Sequence, residues 1–130
     1  KNGVKYYNDS KGTNPDAAIK AVYAMPSPTI LIGGGYDKKS SYDEWVATFE
    51  GRVKELLLIG KTKYDIAAAC DKAGFKAYKF VDTLEEAVSI AAADAESGDC
   101  VLLSPACASW DMFKCYQQRG EIFKDCVRAL

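Results

Sequence analysis

Apolar positions along the chain switch repeatedly between short continuous runs and stripes of helical spacing. Residues 4–7 read as a short strand, followed by the polar loop Asn8-Asp9-Ser10-Lys11-Gly12-Thr13-Asn14. Asn14 and Pro15 supply a cap and a first-turn proline for a helix over 15–24, which Pro26 and Pro28 close. Thr29-Ile30-Leu31-Ile32 is a buried strand ending in Gly33-Gly34-Gly35. A helix over 42–50 precedes a strand over 53–59, whose Leu56-Leu57-Leu58-Ile59 run suits a strand covered on both faces. The next helix, over 64–73, is alanine-rich and stops at Gly74. A strand over 77–81 leads to Thr83-x-x-Glu86, a capping box opening a helix that runs to about Ser97. Val101-Leu102-Leu103 is the last buried strand, and a final helix covers 113–129.

Strands alternating with helices across short loops predict an α/β fold: a doubly wound, mainly parallel sheet in three layers. Ligands of such sheets bind outside the carboxyl ends of the strands. That rule selects four loops, residues 8–14, 33–41, 60–63 and 104–113, before any motif is considered.

Composition narrows the function. A chain of 130 residues, 48% apolar and 27% charged, suits one domain with a real core. Seventeen basic residues against eighteen acidic ones give a net charge of −1, without the basic excess of a nucleic-acid binder. Histidine is absent, which excludes Ser-His-Asp and Cys-His catalysis and His-based metal sites within the chain. No metal site is expected. The five cysteines form no C-x-x-C pair and read as reduced thiols of a cytoplasmic protein. No apolar run is long enough for a membrane span, so no membrane partner is expected. The chain starts at Lys1, and Asn2-Gly3 is a hairpin-turn dipeptide with no strand before it. It reads as a fragment of a larger protein.

Each loop has a functional and a bland reading. Gly60-Lys61-Thr62 resembles the end of a phosphate-binding loop, but Glu55 stands where that motif needs its first glycine. A strand-to-helix turn is the better reading. Gly33-x-Gly35 opens like a dinucleotide fingerprint, yet Lys38 holds the third glycine position. Lys38, or its neighbour Lys39, instead places a cation where an anion could dock past a strand end. Residues 8–14 gather a carboxylate, an ammonium and two hydroxyls before a helix N-terminus, which favours anions. In Ser104-Pro105-Ala106-Cys107-Ala108-Ser109-Trp110-Asp111, small residues allow close approach and Ser109 offers a hydroxyl. Cys107 has no evident base and reads as inert, and Asp111 reads as a helix cap.

At these loops the chain resembles the C-terminal domain of the Mur ligases, in the branch that adds D-glutamate. The matching residues are Asn8 through Asn14, Gly34 through Lys38, and Leu103 through Phe113 with Arg119-Gly120 downstream. The resemblance implies a Rossmann-like domain covering residues 1–130 of a three-domain enzyme. It implies an ATP- and magnesium-dependent reaction that joins D-glutamate to UDP-N-acetylmuramoyl-L-alanine through an acyl phosphate, in cytoplasmic peptidoglycan precursor synthesis. The UDP substrate, the ATP and the magnesium would be held mainly by the other domains. Carried over position by position, Thr13 and Lys38 match residues binding one carboxylate of D-glutamate. Ser109 matches one holding the other, with backbone N–H groups at Trp110 and Tyr116. Asp9 matches a residue near the ATP ribose, and Lys11 a catalytic residue beside the reacting phosphates. Tyr116 stands where phenylalanine is common in the family, which matters little if only its N–H is used.

Two alternatives stand beside this reading: a superfamily member adding lysine, diaminopimelate or a folate-linked glutamate, and a stand-alone anion-binding module of the same fold. Nothing in the chain can hold a γ-phosphate over a carboxylate. The isolated chain is therefore expected to fold and to lack ligase activity. Phosphate release that depends on D-glutamate, measured on this chain alone, would overturn the domain assignment.

Overall fold

The computed structural model describes residues 3–35, 41–107, 113 and 115–130. Elements follow in the order β1 (Lys5–Asn8), α1 (Pro15–Ala24), β2 (Thr29–Gly33), α2 (Asp43–Ala47), β3 (Val53–Leu58), α3 (Lys63–Ala73), β4 (Tyr78–Phe80), α4 (Leu84–Asp94), β5 (Cys100–Leu103) and α5 (Tyr116–Arg128). The strands form one sheet in the order β1-β5-β2-β3-β4, and every pairing is parallel. The α/β, three-layer reading holds.

Alternation along the strands decides the two faces. Leu31, Leu56, Leu58 and Leu102 point to one side, where α1, α2 and α3 supply Val22, Trp45 and Ile66. Ile30, Ile32, Leu57 and Val101 point to the other, where α4 and α5 supply Val88 and Phe123. The central strands β2 and β5 are buried along their whole length, as their unbroken apolar runs require, while the outer β1 and β4 keep exposed positions. Chain connectivity then opens a crevice. The exit from β5 leads to α5, whereas its neighbours β1 and β2 lead to helices on the opposite face.

Local chemistry accounts for most ends. Asn14 Oδ1 accepts from Ala17 N at 3.0 Å with Pro15 behind it, and Thr83 Oγ1 accepts from Glu86 N at 3.0 Å. Gly74 closes α3 in the left-handed conformation, φ 81°. Three helix ends differ from expectation by more than one residue. Helix α2 stops at Ala47 rather than near 50, because Thr48 turns its hydroxyl onto the Trp45 carbonyl at 2.6 Å. Helix α4 stops at Asp94 rather than Ser97, because Glu96 N donates its hydrogen bond to the Asp99 carboxylate at 2.8 Å instead of to the helix. Helix α5 begins at Tyr116 rather than 113 and has Cys115 at its N-cap; Asp111, the expected cap, lies outside the described residues.

Asp99 is the charged anchor at the amino end of the sheet. Its carboxylate, 9% exposed, accepts from Lys54 Nζ at 2.7 Å. That bond, and then the one from Glu96 N, holds the Asp99 carboxyl below its ordinary 3.8. A lowered carboxyl favours the folded chain above the unfolded pKa and loses that contribution as pH falls through the folded one. Asp99→Asn is accordingly expected to cost about 1 kcal/mol of unfolding free energy near neutral pH. The difference from the parent should shrink in acid. Urea unfolding at neutral pH and near pH 3 tests this, and a difference independent of pH would assign the effect to packing instead.

Candidate functional site

The loops at the carboxyl ends of β1, β2, β3 and β5 are stitched to one another rather than left as separate turns. Gly34 N donates to the Pro105 carbonyl at 2.9 Å, and Ala106 N donates to the Gly12 carbonyl at 3.0 Å. Gly35 N donates to Thr62 Oγ1 at 3.0 Å, while Thr62 N returns a bond to the Gly35 carbonyl at 3.1 Å. Two residues meet this geometry at special cost or with special licence. Gly34, at φ 101°, lies so close to Ile59 that a Cβ would overlap its carbonyl. Ala106 holds φ 63°, a left-handed conformation costing about 1–2 kcal/mol in a residue other than glycine. That strain sits immediately before Cys107.

Beneath the rim lies Arg119, fully buried on the inner face of α5. Its Nε donates to Ser10 Oγ at 2.8 Å, Nη1 to the Cys107 carbonyl at 3.0 Å, and Nη2 to the Ser10 carbonyl. Ser10 Oγ in turn donates to the Tyr116 carbonyl at 2.6 Å. One guanidinium thus ties together the loop after β1, the loop after β5 and the first turn of α5. Gly120 permits that closeness, since a Cβ there would stand 2.9 Å from Asn8 Nδ2.

Of the residues expected to carry function, Asp9, Lys11, Thr13 and Tyr116 are described, and the structure gathers them along this rim. Asp9 Oδ2 accepts from Ser104 Oγ at 2.8 Å, so the carboxylate is oriented from β5. Lys11 is exposed beside a cavity of about 260 Å³ that also touches Asn8, Ser10, Tyr116 and Gly120. Thr13 is half-buried, and its N–H bonds the Lys11 carbonyl at 2.8 Å. Tyr116 is the first residue of α5, where a backbone N–H has no partner within the helix. Lys38, Lys39, Ser109 and Trp110 lie outside the described residues.

Cys107 is 2% exposed, with Sγ 3.3 Å from both Tyr42 OH and Thr62 Oγ1, in keeping with an inert thiol. Cys70 is likewise a core residue, its thiol pushed up to about 11 chiefly by burial. None of the five cysteines is in a disulfide. Among the described residues no group of three or more acidic, cysteine or histidine side chains could hold a metal, and no helix is long and apolar enough to cross a membrane.

Sequence reasoning quoted the segments that hold Ser10, Thr62, Ser104 and Arg119 but gave none of the four an individual role. A signal existed for Arg119, since it shares the stripe of Tyr116, Phe123 and Val127 that α5 turns inward. Thr62 offered none, because its partner Gly35 is 27 positions away.

Loss of the guanidinium would strand the carbonyls of Ser10 and Cys107. Arg119→Met, which keeps most of the volume, is expected to lower the unfolding free energy by about 2–4 kcal/mol, read from urea denaturation. An unchanged midpoint would mean that the loops hold themselves without it.

Comparison with known proteins adds the following. A family model described as Mur ligase, glutamate ligase domain, matches residues 1–107. The UDP-N-acetylmuramoylalanine–D-glutamate ligase of Lachnospira eligens is 61% identical over 130 residues, covering 100% of this chain and 29% of that protein. The protein of the same name from Lachnoclostridium phytofermentans is 56% identical, again over 100% of the chain and 29% of its own length. The chain therefore spans less than a third of these relatives. Among solved structures, UDP-N-acetylmuramate-alanine ligase of Thermotoga maritima superposes with a TM-score of 0.57 at 11% identity, over 89% of this chain and 25% of that one. A bifunctional folylpolyglutamate synthase/dihydrofolate synthase of Yersinia pestis gives 0.57 at 14% identity, over 87% and 26%. At those identities the likeness is one of fold.

Proposed function

The chain belongs to the Mur ligase, glutamate ligase domain family, and we propose that residues 1–130 are the amino-acid-binding C-terminal domain of a three-domain ligase that joins D-glutamate to UDP-N-acetylmuramoyl-L-alanine. The observation that carries this reading is 61% identity along the entire chain to a protein named for that activity. The reading places the enzyme in the cytoplasm, in peptidoglycan precursor synthesis. The five cysteines, none of them in a disulfide, support that compartment, since an oxidising one would favour their pairing.

D-Glutamate is a dianionic amino acid. A site for it must replace the water of two carboxylates with cations, hydroxyls and helix N-termini. In this reading Thr13 and Lys38 take one carboxylate, and Ser109 takes the other with the N–H groups of Trp110 and Tyr116. Support comes from the position of Tyr116 at the first turn of α5, and from the attachment of that turn to the Thr13 loop through Ser10. The substrate amine is then held for attack on an activated alanyl carboxyl. ATP, with magnesium held mainly by the rest of the enzyme, supplies the phosphoryl group for that activation. Asp9 suits a ribose contact, because its carboxylate is half-buried, oriented by Ser104 and on the same rim as Lys11. Lys11, exposed at the cavity edge, would neutralise charge developing on the transferring phosphoryl group.

Mutations in the full-length enzyme separate these roles. Lys38→Ala is expected to raise the KM for D-glutamate about 10- to 100-fold, the cost of one charge-assisted bond, with the KM for the UDP substrate nearly unchanged. Ser109→Ala should act in the same direction but less, since backbone donors remain. Lys11→Ala should lower kcat instead. A response at Lys39→Ala in place of Lys38→Ala would shift the assignment by one residue. D-Glutamate kinetics untouched by either would make the glycine loop structural and put the pocket elsewhere.

A further inference from the structure

Thr62 occupies the N-cap of α3 but makes no side-chain bond to its own helix. An N-cap threonine ordinarily turns its oxygen back to an N–H of the first turn. Here that oxygen accepts instead from Gly35 N at 3.0 Å, on the loop after β2, and the same hydroxyl lies 3.3 Å from Cys107 Sγ on the loop after β5. Thr62 itself is 1% exposed. Its backbone N–H already bonds the Gly35 carbonyl at 3.1 Å, a bond any residue at this position could make. The hydroxyl is therefore the specific part of the clamp, and it joins two loops distant in sequence.

Both loops lead directly into residues read above as D-glutamate ligands. Gly35 stands three positions before Lys38, and Cys107 two positions before Ser109. We propose that Thr62 is a positioning residue for the amino-acid pocket: its hydroxyl sets the glycine turn after β2 against the loop after β5, the two loops from which Lys38 and Ser109 follow in the chain. This rests on the D-glutamate reading of the site. Thr62 touches no substrate and acts through Gly35 and Cys107. Tyr42 OH, 3.3 Å from the same sulfur, holds the far side of the arrangement.

The test uses the full-length enzyme with Thr62→Val, which keeps the shape and removes the hydroxyl, and Thr62→Ser, which restores it. Thr62→Val strands the buried Gly35 N–H, and the expected result is a rise of roughly 5- to 20-fold in the KM for D-glutamate. The KM values for ATP and the UDP substrate should stay within about twofold, and Thr62→Ser should restore the D-glutamate KM. A merely structural role would lower the melting temperature or the amount of active enzyme and leave all three KM values alone. That outcome overturns the proposal, as does failure of Thr62→Ser to rescue. Lys38→Ala run alongside keeps the two questions apart. If it raises the D-glutamate KM and Thr62→Val does not, the positioning role falls while the pocket stands. If Thr62→Val, Lys38→Ala and Lys39→Ala all leave it unmoved, the pocket reading itself falls.

Discussion

A buried guanidinium holds the functional end of this domain together. Placing Arg119 out of water is costly, and the cost is offset only because a planar fork of donors meets fixed acceptors in Ser10 and Cys107. A lysine could present no such fork. Once Arg119 is satisfied, Ser10 Oγ is directed at the Tyr116 carbonyl, and the first turn of α5 is set against the end of β1. Gly120 completes the fit by leaving room for Asn8. The β1 loop, the β5 loop and the helix that follows are in effect one unit, with Arg119 as its centre.

The parallel sheet explains why such a unit is needed. Loops leaving the carboxyl ends of β1 and β5 go to opposite faces, and their backbone groups have no strand ladder to complete. They pair with one another instead: Gly12 with Ala106, Pro105 with Gly34, Gly35 with Thr62. The strain at Ala106 and the close approach at Gly34 are consequences of that pairing. A rigid sheet with strained, cross-braced loops at one end is suited to holding several polar groups at set distances around a small anion.

The same sheet appears in ligases whose names specify alanine or folate substrates, at sequence identities of 11–14%. At that distance the common property is the scaffold, and function is carried by sites placed on it, such as the loops at its carboxyl end. The stitching residues in this chain join those loops to one another more than to the core. Loop residues can therefore vary without disturbing the packing of Leu31, Leu56 or Ile30.

By itself the sequence determined what local forces decide. The caps at Asn14 and Thr83 and the stop at Gly74 follow from contacts within a few residues, and the apolar runs of β2, β3 and β5 are legible as local patterns. It also marked the loop of Asp9, Lys11 and Thr13, because a cluster of polar groups before a capped helix is legible without a fold. Where long-range bonds compete with local ones, tertiary structure decided. Helix α4 ends early because Glu96 N is drawn to Asp99, and the Thr62 hydroxyl is engaged by Gly35, 27 positions away. The strand order β1-β5-β2-β3-β4, and with it the meeting of Ser10, Cys107 and Arg119, depends on pairings between segments about a hundred residues apart. No local pattern encodes such pairings, because their free energy exists only once the core has brought the partners together.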